Sequence, residues 1–385
     1  MRKYALIILV FTLFVSISAR SGNVQERIDR LLEDELFETS QVGLMVYDLT
    51  ADSIVYAHGE RQMMRPASTM KVVTAVTALD RLGGAYNFST SLAYTGTIKG
   101  RTLMGDLYCI GGFDPLFNDD DMKAFVESVA NMGIDTVRGR LVADKSMKGG
   151  EQFGEGWCWD DNNPALSPLL VSKKDIFADR LIRRLYEAGI YVDVTVKEGI
   201  TPNDADTICT RYHTIDQVLT RMMKHSDNLF AEAMFYAIAA SGGYKYVKAT
   251  DTKAIVRRLM NKIGIPSTGY RIADGSGLSL YNYVSPSVEV ALLRYAFRNA
   301  NIYMHLYPSL PIAGTDGTLK KRMKGTKAEA NVHAKTGTLT GIYSLAGYCR
   351  AADGNMLAFC IINQGAMSSA AARAFQDKVC IILCE

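Results

Sequence analysis

Three short stretches of the chain carry side chains that together could transfer an acyl group. The first is Ser68-Thr69-Met70-Lys71, at the head of an apolar run that begins after Pro66-Ala67. On a helix a spacing of three residues puts hydroxyl and amine on one face, so the amine can reach the serine. The helix N-terminus also favours negative charge growing on the serine oxygen. The second stretch is Ser226-Asp227-Asn228, where a short loop between two helical segments can point a hydroxyl and an amide into a cleft. The third is Lys335-Thr336-Gly337-Thr338 in a strand-like segment, where glycine lets a ligand backbone come close. These groups suit nucleophilic chemistry. Ser68 would attack a carbonyl, and Lys71 would take its proton once the positive charge of Lys335 and partial burial hold the amine neutral.

Each stretch also has a plainer reading. Ser68 could be a helix cap followed by a surface lysine, and Ser226 could cap the helix that starts at Leu229. Lys335 could protect an edge strand from pairing with another chain. Occurring together and in this order, the three point to chemistry rather than to three separate structural details.

The elements that must position these groups can be read from periodicity. Gln25 to Leu36 predicts an amphipathic helix, and Val42 to Tyr56 alternates like two strands around a turn at Thr50-Ala51-Asp52. A helix runs from near Ser68 to Gly83-Gly84. From Phe88 to Lys148 the pattern becomes short strands with glycine turns, interrupted by one helix near Met122 to Met132 and closed by a strand at Thr136 to Ala143. Helical periodicity returns at Ile176–Ala188, Ile215–Met223, Leu229–Ala240 and Lys253–Ile263, and these segments are expected to build the larger domain. Strands between Ala328 and Asn363 joined by a turn at Ala352-Asp353-Gly354-Asn355, then a helix from Ser368, complete a sheet flanked by helices on both faces.

A length of 385 residues exceeds what one core usually holds, so two domains are expected. The expected division is a leader at 1–19, a discontinuous main domain at 20–86 and 177–385, and an inserted second domain at 87–176. Arg2 and Lys3 followed by the apolar run Tyr4–Ile17 read as a signal peptide, hence export to the periplasm or beyond. That run is shorter than the roughly 20 residues a membrane helix needs, so no stable membrane span is expected. The formal charge of +3 includes the leader's two cations, and the other basic residues are scattered, which excludes a nucleic-acid partner. Seven cysteines match no disulfide framework, and Cys109, Cys349 and Cys360 sit in apolar runs as small hydrophobes. With no CxxC pair and five histidines, neither a metal nor another cofactor is expected.

Beyond the three motifs, the chain from about Val42 onward resembles the D-alanyl-D-alanine carboxypeptidase/endopeptidase family, the low-molecular-mass class C penicillin-binding proteins. The stretches that carry the resemblance include R-P-A-S-T-M-K from Arg65, G-D-L-Y-C-I-G-G-F-D-P from Gly105 and G-W-C-W-D from Gly156. Others are H-S-D-N-L-F-A-E from His225, D-G-S-G-L-S from Asp274, A-G-T-D-G-T-L from Ala313 and A-K-T-G-T-L-T-G from Ala334. The resemblance implies an α/β (α+β) fold: a transpeptidase or β-lactamase-like domain with a smaller α/β domain inserted between the first and second motifs. It leaves no room for the third domain of longer members.

It also implies roles. Ser68 would attack the penultimate D-Ala carbonyl of a peptidoglycan stem peptide, with Lys71 as base and Ser226 and Asn228 relaying the proton and holding the substrate amide. Lys335, Thr336, Gly337 and Thr338 would bind the terminal carboxylate, and the amides of Ser68 and Thr338 would form the oxyanion hole. β-Lactam antibiotics would acylate the same serine. Asp114 matches an acidic position that, in the family, reaches the cleft and meets a cationic side chain of the stem peptide; Asp-Pro is also an ordinary turn. A β-lactamase, a D-aminopeptidase or esterase of the same fold, and a non-catalytic peptidoglycan-binding protein remain the alternatives. No E-x-x-L-N-like segment lies between the first two motifs to supply a β-lactamase's deacylating glutamate.

Overall fold

The structure, a computed structural model, describes residues 24–161 and 163–385. The expected leader at 1–19 lies outside the described residues. The described chain opens with helices α1 (residues 24–31) and α2 (Leu36–Thr39), then the hairpin β1 (Gln41–Asp48) and β2 (Ser53–His58). A 3₁₀ turn at Ala67–Thr69 leads into α3 (Met70–Leu82). Strands β3 (Asn87–Tyr94), β4 (Thr97–Lys99), β5 (Thr102–Met104) and β6 (Leu107–Gly111) precede α4 (Asp119–Asn131) and β7 (Thr136–Asp144). After them come α5 (Phe177–Glu187), β8 (Tyr191–Glu198) and β9 (Asp206–Thr214). Five helices follow: α6 (Ile215–Lys224), α7 (Asn228–Ala240), α8 (Ala249–Lys262), α9 (Pro286–Arg298) and α10 (Ala300–Ser309). The chain ends with β10 (His333–Leu339), β11 (Ile342–Arg350), β12 (Met356–Gln364) and α11 (Ser369–Cys384).

The main sheet has five strands in the order β10-β11-β12-β1-β2, antiparallel throughout. Successive side chains of a strand point to opposite faces, and here both faces are covered. Leu44, Val46, Phe359 and Ile361 pack on one side with Phe375, Val379 and Leu383 of α11 and Ile28 of α1. Tyr47, Ala358, Cys360 and Ile362 face the other side, against the helices α3 and α6 to α10. Burial on both faces is why β11 and β12 read as unbroken apolar runs rather than as alternation. Helix α3 is buried at every position from Met70 to Leu79, and α7 from Leu229 to Ala239. A helix apolar all round belongs inside a helical layer, and these two carry the first and second motifs at their starts.

The second sheet has seven strands. Its parallel pairs β6-β7 and β7-β8 and antiparallel pairs β3-β6 and β3-β9 form one curved surface, packed on α4 and α5. The boundary expected at residues 176 and 177 is therefore corrected. Phe177, Leu181 and Leu185 of α5 sit in the core of this second unit, with the Phe177 ring 5.0 Å from Phe117. The unit extends to Thr214, because β8 lies on β7 and β9 lies on β3. An amphipathic helix reveals that it has an apolar face, but not which core that face joins. Strands β8 and β9 escaped the sequence reading because most of their residues are at least partly exposed, which leaves little apolar alternation to see. Helices α9 and α10 were also not anticipated.

All seven cysteines are free thiols. Cys109, Cys349 and Cys360 are buried, in keeping with their apolar surroundings in the sequence. Among the described residues no helix is long and apolar enough to cross a membrane.

Candidate active site

The three motifs converge where the start of α3, the start of α7 and the edge strand β10 meet. Ser68 lies in the 3₁₀ turn ahead of α3 and is partly exposed, whereas Lys71, one turn further, is fully buried. The turn is held from two sides. Thr69 donates from its hydroxyl to Glu289 at 2.6 Å, and Ser344 donates from β11 to the Pro66 carbonyl. Gly337 of β10 passes so close that a Cβ there would fall 2.0 Å from the Ser344 hydroxyl, 2.7 Å from the Pro66 carbonyl and 3.0 Å from the Ser68 nitrogen. The sequence suggested that glycine makes room for a ligand backbone. Its Cβ direction instead points at the protein's own nucleophile turn, so any side chain there would push strand and serine apart.

Lys71 Nζ has three partners: Ser68 Oγ at 3.0 Å, Asn228 Oδ1 at 2.8 Å and the Ser276 carbonyl at 2.7 Å. The partners restrict where a neutral Lys71 amine can direct its lone pair. A neutral amine has two N–H groups and one lone pair. The carbonyl of Ser276 and the amide oxygen of Asn228 can only accept, so they take both N–H groups, and the lone pair is left facing the Ser68 hydroxyl. Burial pushes the Lys71 amine down to about 8, against the pull of Asp274, Glu232 and Asp227. Of the two causes expected, the charge of Lys335 and burial, burial dominates this shift. The repulsion between the two amines is mutual, and burial and then Lys71 hold Lys335 well below the usual lysine range.

Lys335 is buried and donates to Ser226 Oγ at 2.9 Å and to the Thr336 carbonyl at 2.6 Å. Ser226 has φ +58°, an uncommon left-handed conformation in the loop between α6 and α7, and its hydroxyl meets the lysine of the opposite strand. Asp227 between the two motif residues turns the other way, to Lys173 and Arg221. Thr336 donates from its hydroxyl to Thr318 at 2.8 Å, and Thr336, Gly337 and Thr338 line one wall of an open pocket.

Several residues of the site carried no role in the sequence reading. Glu232, one turn into α7, accepts hydrogen bonds from the amides of Gly275 and Ser276 at 3.1 and 2.8 Å. Asp274 accepts from the amides of Gly277 and Ser279, the Asn282 side chain and the Trp157 indole. Together these two acids shape the loop whose Ser276 carbonyl holds Lys71. Gly277 has φ +81°, and a Cβ there would meet the Ala67 carbonyl at 1.8 Å, so the loop is pressed against the nucleophile turn. The stretches H-S-D-N-L-F-A-E and D-G-S-G-L-S contain these residues, but only the fold shows that they support one lysine.

Asp114 is not brought to this centre. Its side chain is buried, one oxygen 2.6 Å from His213 Nδ1 and the other accepting the Leu116 amide at 3.0 Å. Phe113 beside it has φ +54° and packs in the main core against Tyr236. Asp114 was expected to meet a stem-peptide cation; in this structure its carboxylate ties β9 to the turn after β6.

Comparisons with known proteins show the family and the fold. The model of the D-Ala-D-Ala carboxypeptidase 3 (S13) family matches residues 24–171 and 168–384. The D-alanyl-D-alanine carboxypeptidase of Actinomadura sp. (strain R39) is 28% identical over 469 residues, which cover 95% of this chain and 85% of that one. The crystal structure of penicillin binding protein 4 (dacB) from Haemophilus influenzae superposes with a TM-score of 0.83 at 24% identity, covering 92% of this chain and 97% of that one. A second structure of that protein, complexed with a novel β-lactam, gives a TM-score of 0.78 at 25% identity, covering 91% and 98%. With a family match across almost all of its described length and a serine–lysine centre assembled from three elements, the chain belongs to the D-Ala-D-Ala carboxypeptidase 3 (S13) family of serine peptidases.

Proposed function

We propose that this protein cleaves D-Ala-D-Ala-type bonds in peptidoglycan stem peptides through an acyl-enzyme on Ser68, acting as carboxypeptidase, endopeptidase or both. The observation that carries the reading is the placement of Lys71, whose two acceptor partners leave its lone pair for the Ser68 proton. As Ser68 Oγ bonds to the carbonyl carbon, its proton passes to Lys71. The C–N bond then breaks, and the leaving amine takes a proton through Ser226, which Lys335 holds in place. Water cleaves the ester and frees the serine. The amides of Ser68 and Thr338 would stabilise the oxyanion, and Lys335, Thr336 and Thr338 would receive the carboxylate beside the scissile nitrogen. Asn228 would both orient Lys71 and hold the substrate amide.

β-Lactams mimic the acyl donor, and a family relative is known in complex with one; we infer that they acylate Ser68 here. Residues 1–19, with Arg2 and Lys3 ahead of an apolar run, support export to the compartment where peptidoglycan lies. The test is labelling with a fluorescent penicillin together with D-alanine release from a pentapeptide. Wild-type protein should do both and Ser68→Ala neither, with the fold intact by circular dichroism. Labelling of Ser68→Ala at the wild-type rate would move the nucleophile elsewhere.

A further inference from the structure

The wall of the cleft formed by Thr336, Gly337 and Thr338 continues into a pocket of about 500 Å³ whose other residues include Lys320, Lys321, Arg322 and Arg373. Arg322 is committed to Asp377, at 2.7 Å, and to Gln376. The other three cations differ: among the described residues, none of Lys320, Lys321 and Arg373 pairs with a carboxylate. Arg373 lies over the ring of Tyr343, 5.9 Å from its centre. Unneutralised positive charge around a concavity attracts anions and concentrates them there.

The location gives the pocket its meaning. In the mechanism proposed above, Thr336 and Thr338 receive the carboxylate next to the scissile nitrogen, so whatever lies beyond them faces the leaving group, not the acyl group. A carboxypeptidase substrate leaves as one alanine, whose single carboxylate is satisfied at Lys335, Thr336 and Thr338. It would leave 500 Å³ and three cations without a use. A cross-linked stem peptide instead departs as a peptide with further carboxylates.

We propose that this pocket is a subsite for an anionic leaving peptide, so that the enzyme favours cutting cross-links between stem peptides over trimming terminal alanine. The proposal rests on the peptidase reading of the site and names its leaving-group specificity. In the step concerned the C–N bond breaks and Ser68 keeps the acyl half. The acidic half leaves as a protonated amine, and the basic side chains act only on its position.

The experiment compares two defined muropeptides with the same acyl half, a pentapeptide that releases D-alanine and a cross-linked dimer that releases a stem peptide. Wild type is compared with Lys320→Ala/Lys321→Ala, with the charge reversal Lys320→Glu/Lys321→Glu, and with Arg373→Ala. For the dimer, kcat/KM should fall about tenfold in the double alanine variant and further on charge reversal, and added salt should lower the wild-type rate in the same direction. Release of D-alanine and acylation by penicillin should stay within about twofold of wild type, because neither ligand reaches the pocket. Equal losses on both peptides, or an unchanged dimer rate on charge reversal, would overturn the subsite. Failure of the peptidase reading would show separately, as wild-type protein that cleaves neither peptide.

Discussion

The indole nitrogen of Trp157 donates a hydrogen bond of 2.7 Å to a carboxylate oxygen of Asp274, and both residues are buried. Asp274 orders the loop that carries the Ser276 carbonyl, and that carbonyl accepts from Lys71. The tryptophan segment between β7 and α5 is thereby linked to the orientation of Lys71, the proposed general base. Trp157→Phe keeps most of the apolar contact and removes the donor. It should slow penicillin acylation by about threefold to tenfold, an effect of roughly 1 kcal/mol for one hydrogen bond, with little change in the melting temperature. Stopped-flow acylation rates check it; an unchanged rate would make the bond purely structural.

Lys71 sets a pH dependence whose sign follows from its displaced titration. The amine must be neutral to accept the Ser68 proton, and burial brings its pKa down to about 8. Acylation should therefore rise with pH through about 8 and level off above it, while a mechanism that needs the ammonium would fall over the same range. In Lys71→Arg the guanidinium stays charged at every accessible pH, so acylation should be lost at all of them. A pH profile of kcat/KM in wild type and variant measures both effects.

Glu232 is buried against two backbone amides, and burial together with Asp274 pushes its carboxyl up to about 8. Burial thus favours its protonated form, and its contacts here are those of an acceptor for two backbone amides. Glu232→Gln keeps an acceptor oxygen and should retain acylation within about threefold. Glu232→Ala leaves the amides of Gly275 and Ser276 without their partner and should lose about 1–3 kcal/mol of stability and at least about tenfold in acylation. Equal damage from both substitutions, seen in melting curves and acylation rates, would show that the charge itself is required.

Asp114 makes a contrasting case. With His213 on one oxygen and the Leu116 amide on the other, its carboxylate is held inside the protein, and the hydrogen bond it accepts from His213 raises the His213 pKa above its ordinary value. Asp114→Asn should cost about 1–3 kcal/mol of stability and lower the melting temperature by a few degrees. The ratio of stem-peptide turnover to penicillin acylation should not change. A selective loss of peptide turnover would return Asp114 to the substrate site.

Where the chain places its reactive groups was legible from local spacing, because helix and strand geometry convert spacing directly into shared faces. Ser68 and Lys71 are three residues apart at a helix start, and the order of the three motifs pointed to acyl transfer, while the family resemblance of the longer stretches implied the fold. The same local rules found β1, β2, α3, α6 and α7. They attached α5 to the wrong domain, because periodicity identifies an apolar face but not the core it joins. The partner of Asp114 was hidden for a similar reason: an Asp-Pro turn looks the same whether its carboxylate faces a cleft or a buried histidine.

The tertiary structure decided what distant residues do to one another. Sequence expected the charge of Lys335 to help neutralise Lys71, but desolvation dominates, and desolvation depends on all the atoms packed around an amine rather than on its neighbours in the chain. The acceptors that aim the Lys71 lone pair come from positions 157 and 205 residues away, at Asn228 and Ser276. Glycine 337 was visible as a residue, but its purpose depended on how closely β10 approaches the turn at Ser68. The sequence by itself determined which groups are candidates for the chemistry, because that is written in residue type and short-range spacing. The acceptors around Lys71 and the cations beyond Thr338 were decided only when folding brought remote segments together.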